Sequence, residues 1–264
     1  MEFATSEDLH RVCAERLGET AGRRFAALAR RGFRLEPAGA GSEPTGRCRT
    51  GGPALLEPGT PWPELDGFPL SLHAVLDTDA LAPWLGDELP CRPGLLNFFY
   101  LDPALPYERF RHLDGFSPEA CRVVPADPDR AVVRPAPSTA RSYPPELVHA
   151  AAVAMLPDSW DVEDDDLPYD DGEHWGATSF VLDRFGDLDG NSSGNHQAFG
   201  WPGLSHASGV SAAEYRGERR VHLLQLAEDG NWSWGDAGTL YFLISEEALA
   251  KGDFSQVVAE MRCC

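Results

Sequence analysis

Pro69-Leu-Ser-Leu-His-Ala-Val-Leu-Asp77 and Gly94-Leu-Leu-Asn-Phe-Phe-Tyr-Leu-Asp102 decide the fold, because each is a short apolar run bounded by turn residues and too brief for a helix. The same order returns near the other end of the chain, in Arg220-Val-His-Leu-Leu-Gln-Leu-Ala227 and Gly238-Thr-Leu-Tyr-Phe-Leu-Ile244. Each pair reads strand, excursion, Gly, strand, and each follows a Trp-Pro element, Thr60-Pro-Trp-Pro63 or Gly200-Trp-Pro-Gly203. Two related β-rich halves, about 51–125 and 195–264, are expected to share one core, with Trp62 and Trp234 in corresponding positions at the sheet ends.

Working outward, further strands fit Arg122 to Val124, Ala150 to Leu156 and Phe180 to Leu182, and Val257, Ala259, Met261 and Cys263 alternate as in a half-buried final strand. Short helices fit Asp79 to Leu85, Ser211 to Tyr215 and Glu246 to Ala250. At the start, Thr5-Ser-Glu-Asp8 is a capping box, and Leu9, Val12, Cys13, Leu17, Ala21, Phe25 and Leu28 follow at helical spacing, predicting an amphipathic helix that Gly18 and Gly22 break and that ends near Gly32. Arg23, Arg24, Arg30 and Arg31 read as its solvated face, and the Pro/Gly-rich stretch 36–50 as a connector. The expected fold class is α+β with largely antiparallel sheets: an N-terminal helical segment over 1–50, then an α+β domain over 51–264 with an acidic middle.

The 264 residues carry 22 Lys plus Arg against 42 Asp plus Glu, a net charge of −20. Nucleic acid and anionic membrane are excluded as principal partners, since both require a basic footprint. The first 50 residues hold nine Arg and seven acidic residues, so the remainder carries the whole excess. Met1-Glu-Phe-Ala-Thr-Ser-Glu-Asp8 lacks the positive start and apolar run of a secretory signal, so a cytoplasmic setting is expected. Cys13, Cys48, Cys91, Cys121, Cys263 and Cys264 are too widely spread for a disulfide scaffold and read as reduced thiols.

Gly51-Gly-Pro53 with Trp62-Pro63, the Leu70 strand, Leu89-Pro90 and Gly94-Leu-Leu-Asn-Phe-Phe99 resemble the opening half of the YwqG-like family of bacterial proteins. His196-Gln-Ala-Phe-Gly-Trp-Pro202, Leu223-Leu-Gln-Leu226, Trp234-Gly-Asp-Ala-Gly-Thr-Leu-Tyr-Phe-Leu-Ile244 and Asp253-Phe-Ser-Gln-Val257 are similar to its closing half. The resemblance spans about 51–264 and implies an α+β fold in the cytoplasm, but supplies no catalytic residues. It also implies a Gln where this chain has Val75, and another where His206 stands.

Gly190-Asn-Ser-Ser-Gly194 matches Gly-x-Ser-x-Gly, but no apolar strand precedes it and no helix follows, so it reads as a polar loop rather than a nucleophile elbow. Residues 158–189 contain twelve Asp or Glu and one base, Arg184. Their spacing fails the EF-hand pattern, so electrostatic attraction is expected instead of a metal site. His174, His196 and His206 flank this segment without zinc-ligand spacing, and His73 and His222 read as paired structural residues of strands. No metal and no cofactor is expected. Aromatic residues beside polar turns can build a cleft, so Trp62, His196, Trp201, His206, Gln225, Trp234 and Asp236 are the candidate ligand-binding residues. The functional expectation is a non-catalytic binding protein, whose partner is a small molecule or a basic protein, as in toxin neutralisation. The alternative is an enzyme of specialised metabolism with a cleft between the halves, metal-assisted through 158–206.

Overall fold

In a computed structural model the described residues are 1–39, 41–101, 120–167, 176–186, 194–203 and 213–262. The chain begins with β1 (Glu2–Phe3), α1 (Ser6–Ala27), β2 (Arg30–Pro37), β3 (Arg49–Thr50) and β4 (Ala54–Leu56). Then come β5 (Glu64–Leu65), β6 (Phe68–Pro69), β7 (Ser71–Asp77), α2 (Thr78–Leu85), β8 (Leu95–Tyr100), β9 (Cys121–Ala126), β10 (Val132–Arg134) and β11 (Glu146–Met155). The last part holds α3 (Ala177–Phe185), β12 (His196–Phe199), β13 (Glu214–Tyr215), β14 (Glu218–Arg219), β15 (Val221–Ala227), β16 (Thr239–Ile244), α4 (Glu246–Lys251) and β17 (Val258–Arg262).

The expected mixed α+β architecture with a large antiparallel sheet is present. Ten strands lie in the order β17-β16-β15-β12-β2-β11-β3-β7-β8-β9, with β1 added beside β11, and all neighbours are antiparallel. The two ends of this path meet: the Cys121 thiol at the start of β9 donates to the carbonyl of Val257, just before β17. The sheet is therefore curled almost into a barrel, and its concave face is the main core. Phe98 and Phe242, both unexposed, touch edge to face at 5.2 Å across that interior.

The β7–β8 and β15–β16 ladders share one register. The first shifts between Leu72 and Ala74, then pairs Ala74 with Phe98 and Val75 with Asn97. The second shifts between His222 and Leu224, then pairs Leu224 with Phe242 and Gln225 with Tyr241. Next to each ladder the backbone makes a turn with two consecutive positive φ angles, Gly51 (58°) and Gly52 (75°) after β3, Phe199 (58°) and Gly200 (67°) after β12. The Phe199 side chain tolerates this disfavoured region because its ring is buried in the core and its carbonyl is held by the His222 Nδ1–H at 3.0 Å. Both turns deliver a segment to the outer face of their ladder, where side chains seize one residue's backbone. Asn97 accepts from the Leu55 N–H and donates to the Leu55 carbonyl, at 2.8 and 2.7 Å. Gln225 accepts from the Gly203 N–H at 2.8 Å, and the Tyr241 hydroxyl donates to the Gly203 carbonyl at 2.7 Å.

Six expectations need correction. The N-terminal helix stops at Ala27, and Arg30–Pro37 forms the central strand β2, in which Phe33 and Leu35 face the core while Arg34 and Glu36 turn away. Arg30 and Arg31 thus belong to the sheet rather than to a helix face, and the segment before residue 51 supplies two strands to the sheet instead of a connector. Gly18, with φ 77°, does interrupt the helix as expected. Phe180 to Leu182 is helical: buried Ala177, Phe180, Val181 and Phe185 recur at three- and four-residue spacing against α1. The Ser211 to Tyr215 helix is instead a hairpin strand where described, at Glu214–Tyr215. Trp62 precedes β7 whereas Trp234 follows β15, so the two do not occupy corresponding positions. Among the described residues no helix is long and apolar enough to cross a membrane.

Candidate functional site

β12 and β15 run between the two ends of the curled sheet, and each end opens into a cavity. The cavity near Ala227 has a volume of about 620 Å³ and is lined by Arg141, Tyr143, Asp229, Asn231, Trp232 and Met261, among others. Its polar wall includes Asp229 in the turn after β15, which is backed by His196 on β12. The Ala227 N–H donates to His196 Nδ1 at 3.1 Å, so that nitrogen is unprotonated and the ring is neutral, with its proton on Nε2. Nε2–H then faces an Asp229 carboxylate oxygen at 3.3 Å. Burial alone would raise the Asp229 pKa; hydrogen bonds from His196 and from the amides of Asn231 and Trp232 outweigh it and hold the carboxyl below its ordinary value. Both imidazole nitrogens are occupied, so His196 orients the wall and has no free lone pair with which to act as a general base.

Beside the cavity is an aromatic chamber filled by its own side chains. The His73 ring lies 4.9 Å from Tyr143, 5.2 Å from Trp232, 5.2 Å from Trp234 and 6.4 Å from Tyr100, centroid to centroid. His73 is wholly buried, and desolvation pushes its pKa down to about 3, so it is uncharged at neutral pH. Among the described residues neither of its nitrogens has a hydrogen-bond partner, and the buried Trp234 indole N–H has none either. The neighbouring Trp232 indole is satisfied, donating to the Ala227 carbonyl at 3.0 Å. A buried polar group without a partner costs about 1–3 kcal/mol, so the chamber carries a polar demand that its own walls do not meet.

The structure brings together two of the sequence candidates here, His196 and Trp234, with exposed Asp236 in the same turn region. Trp201 lies at the opposite cavity, its indole N–H donating to the Leu28 carbonyl at 2.8 Å. Gln225 is fully buried, and besides holding Gly203 it donates to the Asn195 carbonyl at 2.9 Å, so its amide fastens backbone to backbone. Trp62 packs on the convex side against Phe99 at 5.1 Å, away from both cavities. His206 and His174 lie outside the described residues, as do Cys263, Cys264 and most of Gly190 to Gly194. His73, Trp232, Tyr143 and Asp229 went unrecognised as site residues in the sequence; the one local signal was a His interrupting an apolar strand run.

Among the described residues no group of three or more His, Cys, Asp or Glu is arranged to hold a metal. The four described cysteines are free thiols. Burial raises all four pKa values, those of Cys13, Cys48 and Cys121 to about 12, so these thiols stay protonated and poorly nucleophilic.

A protein-family model described as a domain of unknown function, DUF1963, matches residues 48–263. The chain belongs to the DUF1963, YwqG-like family. The DUF1963 match contains the chamber, both ladders and both positive-φ turns, and begins after β2, which the sheet nonetheless places at its centre. No curated protein matches the chain.

Proposed function

We propose that this DUF1963 protein is a cytoplasmic binding protein that takes a small, uncharged polar ligand into the cavity beside His73. The observation that carries the reading is the pair of partnerless donors and acceptors, His73 and Trp234, at full burial beside a cavity. A neutral imidazole offers one N–H and one lone pair, and the indole one N–H, so a hydroxyl, carbonyl or amide fits where an ion would be desolvated without a counter-charge. The Tyr143 and Trp232 rings line the cavity and touch His73, which supports a role for them at the ligand's entrance.

Native mass spectrometry of the protein purified from its producing cell tests this. The wild type is expected to carry a non-covalent small-molecule adduct, and His73→Phe to lose it while keeping or gaining thermal stability, because an unsatisfied group is replaced by an apolar ring. Wild-type protein without an adduct, or an adduct indifferent to His73→Phe, would overturn the reading.

The net charge of −20 supports a second reading, in which the partner is a basic protein, as a toxin-neutralising role requires. The matching ladders, turns and backbone clasps support the view that about 51–125 and 195–264 arose as an internal repeat, with β11 completing one half and β2 the other.

A further inference from the structure

The cavity at the other end of β15, near Val221, has a volume of about 490 Å³ and mixes apolar walls with isolated charges: Phe199, Trp201, Val221 and Leu249 beside Arg30, Glu88 and Glu246. It is distinct from the His73 chamber and nothing in the proposed function above depends on it.

Arg30 is its unusual member. The guanidinium lies 3.8 Å from the centre of the Trp201 ring, a stacked distance, and Trp201 is itself fixed by its indole hydrogen bond to Leu28. Other half-buried arginines of this chain have oxygen partners. Arg34 pairs with Glu2 at 2.9 Å, Arg262 with Glu260 at 2.8 Å, and Arg49 donates to the Pro53 carbonyl. Arg30 stacks without any hydrogen bond or ion pair among the described residues, although it is desolvated enough to lower its pKa and Glu88, Glu246 and Asp161 all bear on its charge. The Glu88 carboxylate lines the same cavity, one oxygen accepting from the Arg31 backbone N–H at 2.6 Å while the other has no hydrogen bond among the described residues. Burial raises the Glu88 pKa against the pull of that bond and of Arg30 and Arg31. Two opposite charges thus stand on adjacent elements at one cavity, each fixed by a third group and unpaired with the other.

We infer that this cavity binds a small zwitterion with an apolar body, a free apolar α-amino acid. Its carboxylate takes the planar fork of Arg30, its ammonium lies toward Glu88 and Glu246, and its side chain packs on Trp201, Phe199 and Leu249. A simple anion is disfavoured, because three acidic residues, Asp87, Glu88 and Glu246, line the cavity of a chain that is already strongly acidic.

The test follows the Arg30 Nε–H and Trp201 Nε1–H signals by NMR while L-leucine, N-acetyl-leucine, leucinamide or inorganic phosphate is added. Leucine is expected to shift both signals with saturation, and each blocked analogue to bind at least tenfold more weakly. R30Q should abolish the leucine response at Trp201, and R30K, which keeps the charge but not the fork, should weaken it about tenfold. Melting curves confirm that both variants are folded. Binding of N-acetyl-leucine equal to that of leucine, phosphate binding more tightly than leucine, or no shift at 20-fold millimolar excess would each overturn the assignment.

Discussion

His73 and His222 are wholly buried imidazoles one step apart across the bulges of the two matching ladders, and desolvation drives both pKa values down, to about 3 and about 4. An unfolded histidine titrates near pH 6.5, so between that value and the folded pKa the unfolded chain binds protons that the native chain refuses. Stability contributed by the neutral rings is therefore fully present above about pH 6.5 and is lost as pH falls toward 4. Each ring gives a slope of about 1.4 kcal/mol per pH unit in the middle of that window. Urea unfolding at pH 6.0, 5.5 and 5.0 should show His73→Phe with a shallower pH dependence than wild type by close to one proton. Parallel slopes would mean that His73 accepts a proton in the folded protein. His196 makes a different use of the same chemistry: with Nδ1 committed as an acceptor, protonation would break its bond to Ala227.

At the scale of elements, the outer segments are held to the sheet by one or two buried polar side chains each. Gln225→Leu would leave the Gly203 N–H and the Asn195 carbonyl without their Gln225 partner in a buried setting, for an expected loss of about 2–4 kcal/mol, while Val75→Leu at the matching ladder position breaks no hydrogen bond and should cost less, about 1–3 kcal/mol of overpacking strain. Equilibrium denaturation distinguishes the two; equal losses would show that Gln225 acts by volume alone. The absence of Gln at position 75 is thereby explained, because Asn97, across the ladder from Val75, performs the fastening in that half. The strands β7, β8, β15 and β16 were legible as short, mainly apolar runs between turn residues, since both their faces are covered. β2 was not, because only Phe33 and Leu35 stand out among arginines that extend the preceding helical pattern. His196 and Trp234 could be found from their polar and aromatic turns. His73 could not, since a buried histidine with a partner and one without look alike in sequence.

For the whole molecule, the central position of β2 decides what can be removed. β2 pairs with β11 on one side and β12 on the other, and Arg34 pairs with Glu2 outside the ladder. Deleting residues 1–39 should abolish cooperative thermal unfolding although the whole DUF1963 match is kept; a truncated chain with a sharp melting transition would show that β11 and β12 can close on each other without it. The arrangement also governs how the chain reaches its native state. β2 emerges early in synthesis, yet its β11 partners lie over a hundred residues later and its β12 partners later still. At about 5–20 residues per second the strand waits many seconds for either neighbour, with both hydrogen-bonding edges bare. Helix α1 can form locally in that interval, but the sheet cannot be assembled from one end as the chain appears. Its closure is a late, long-range event, which puts this protein among slow folders, exposed to aggregation until residues 196–199 have left the ribosome.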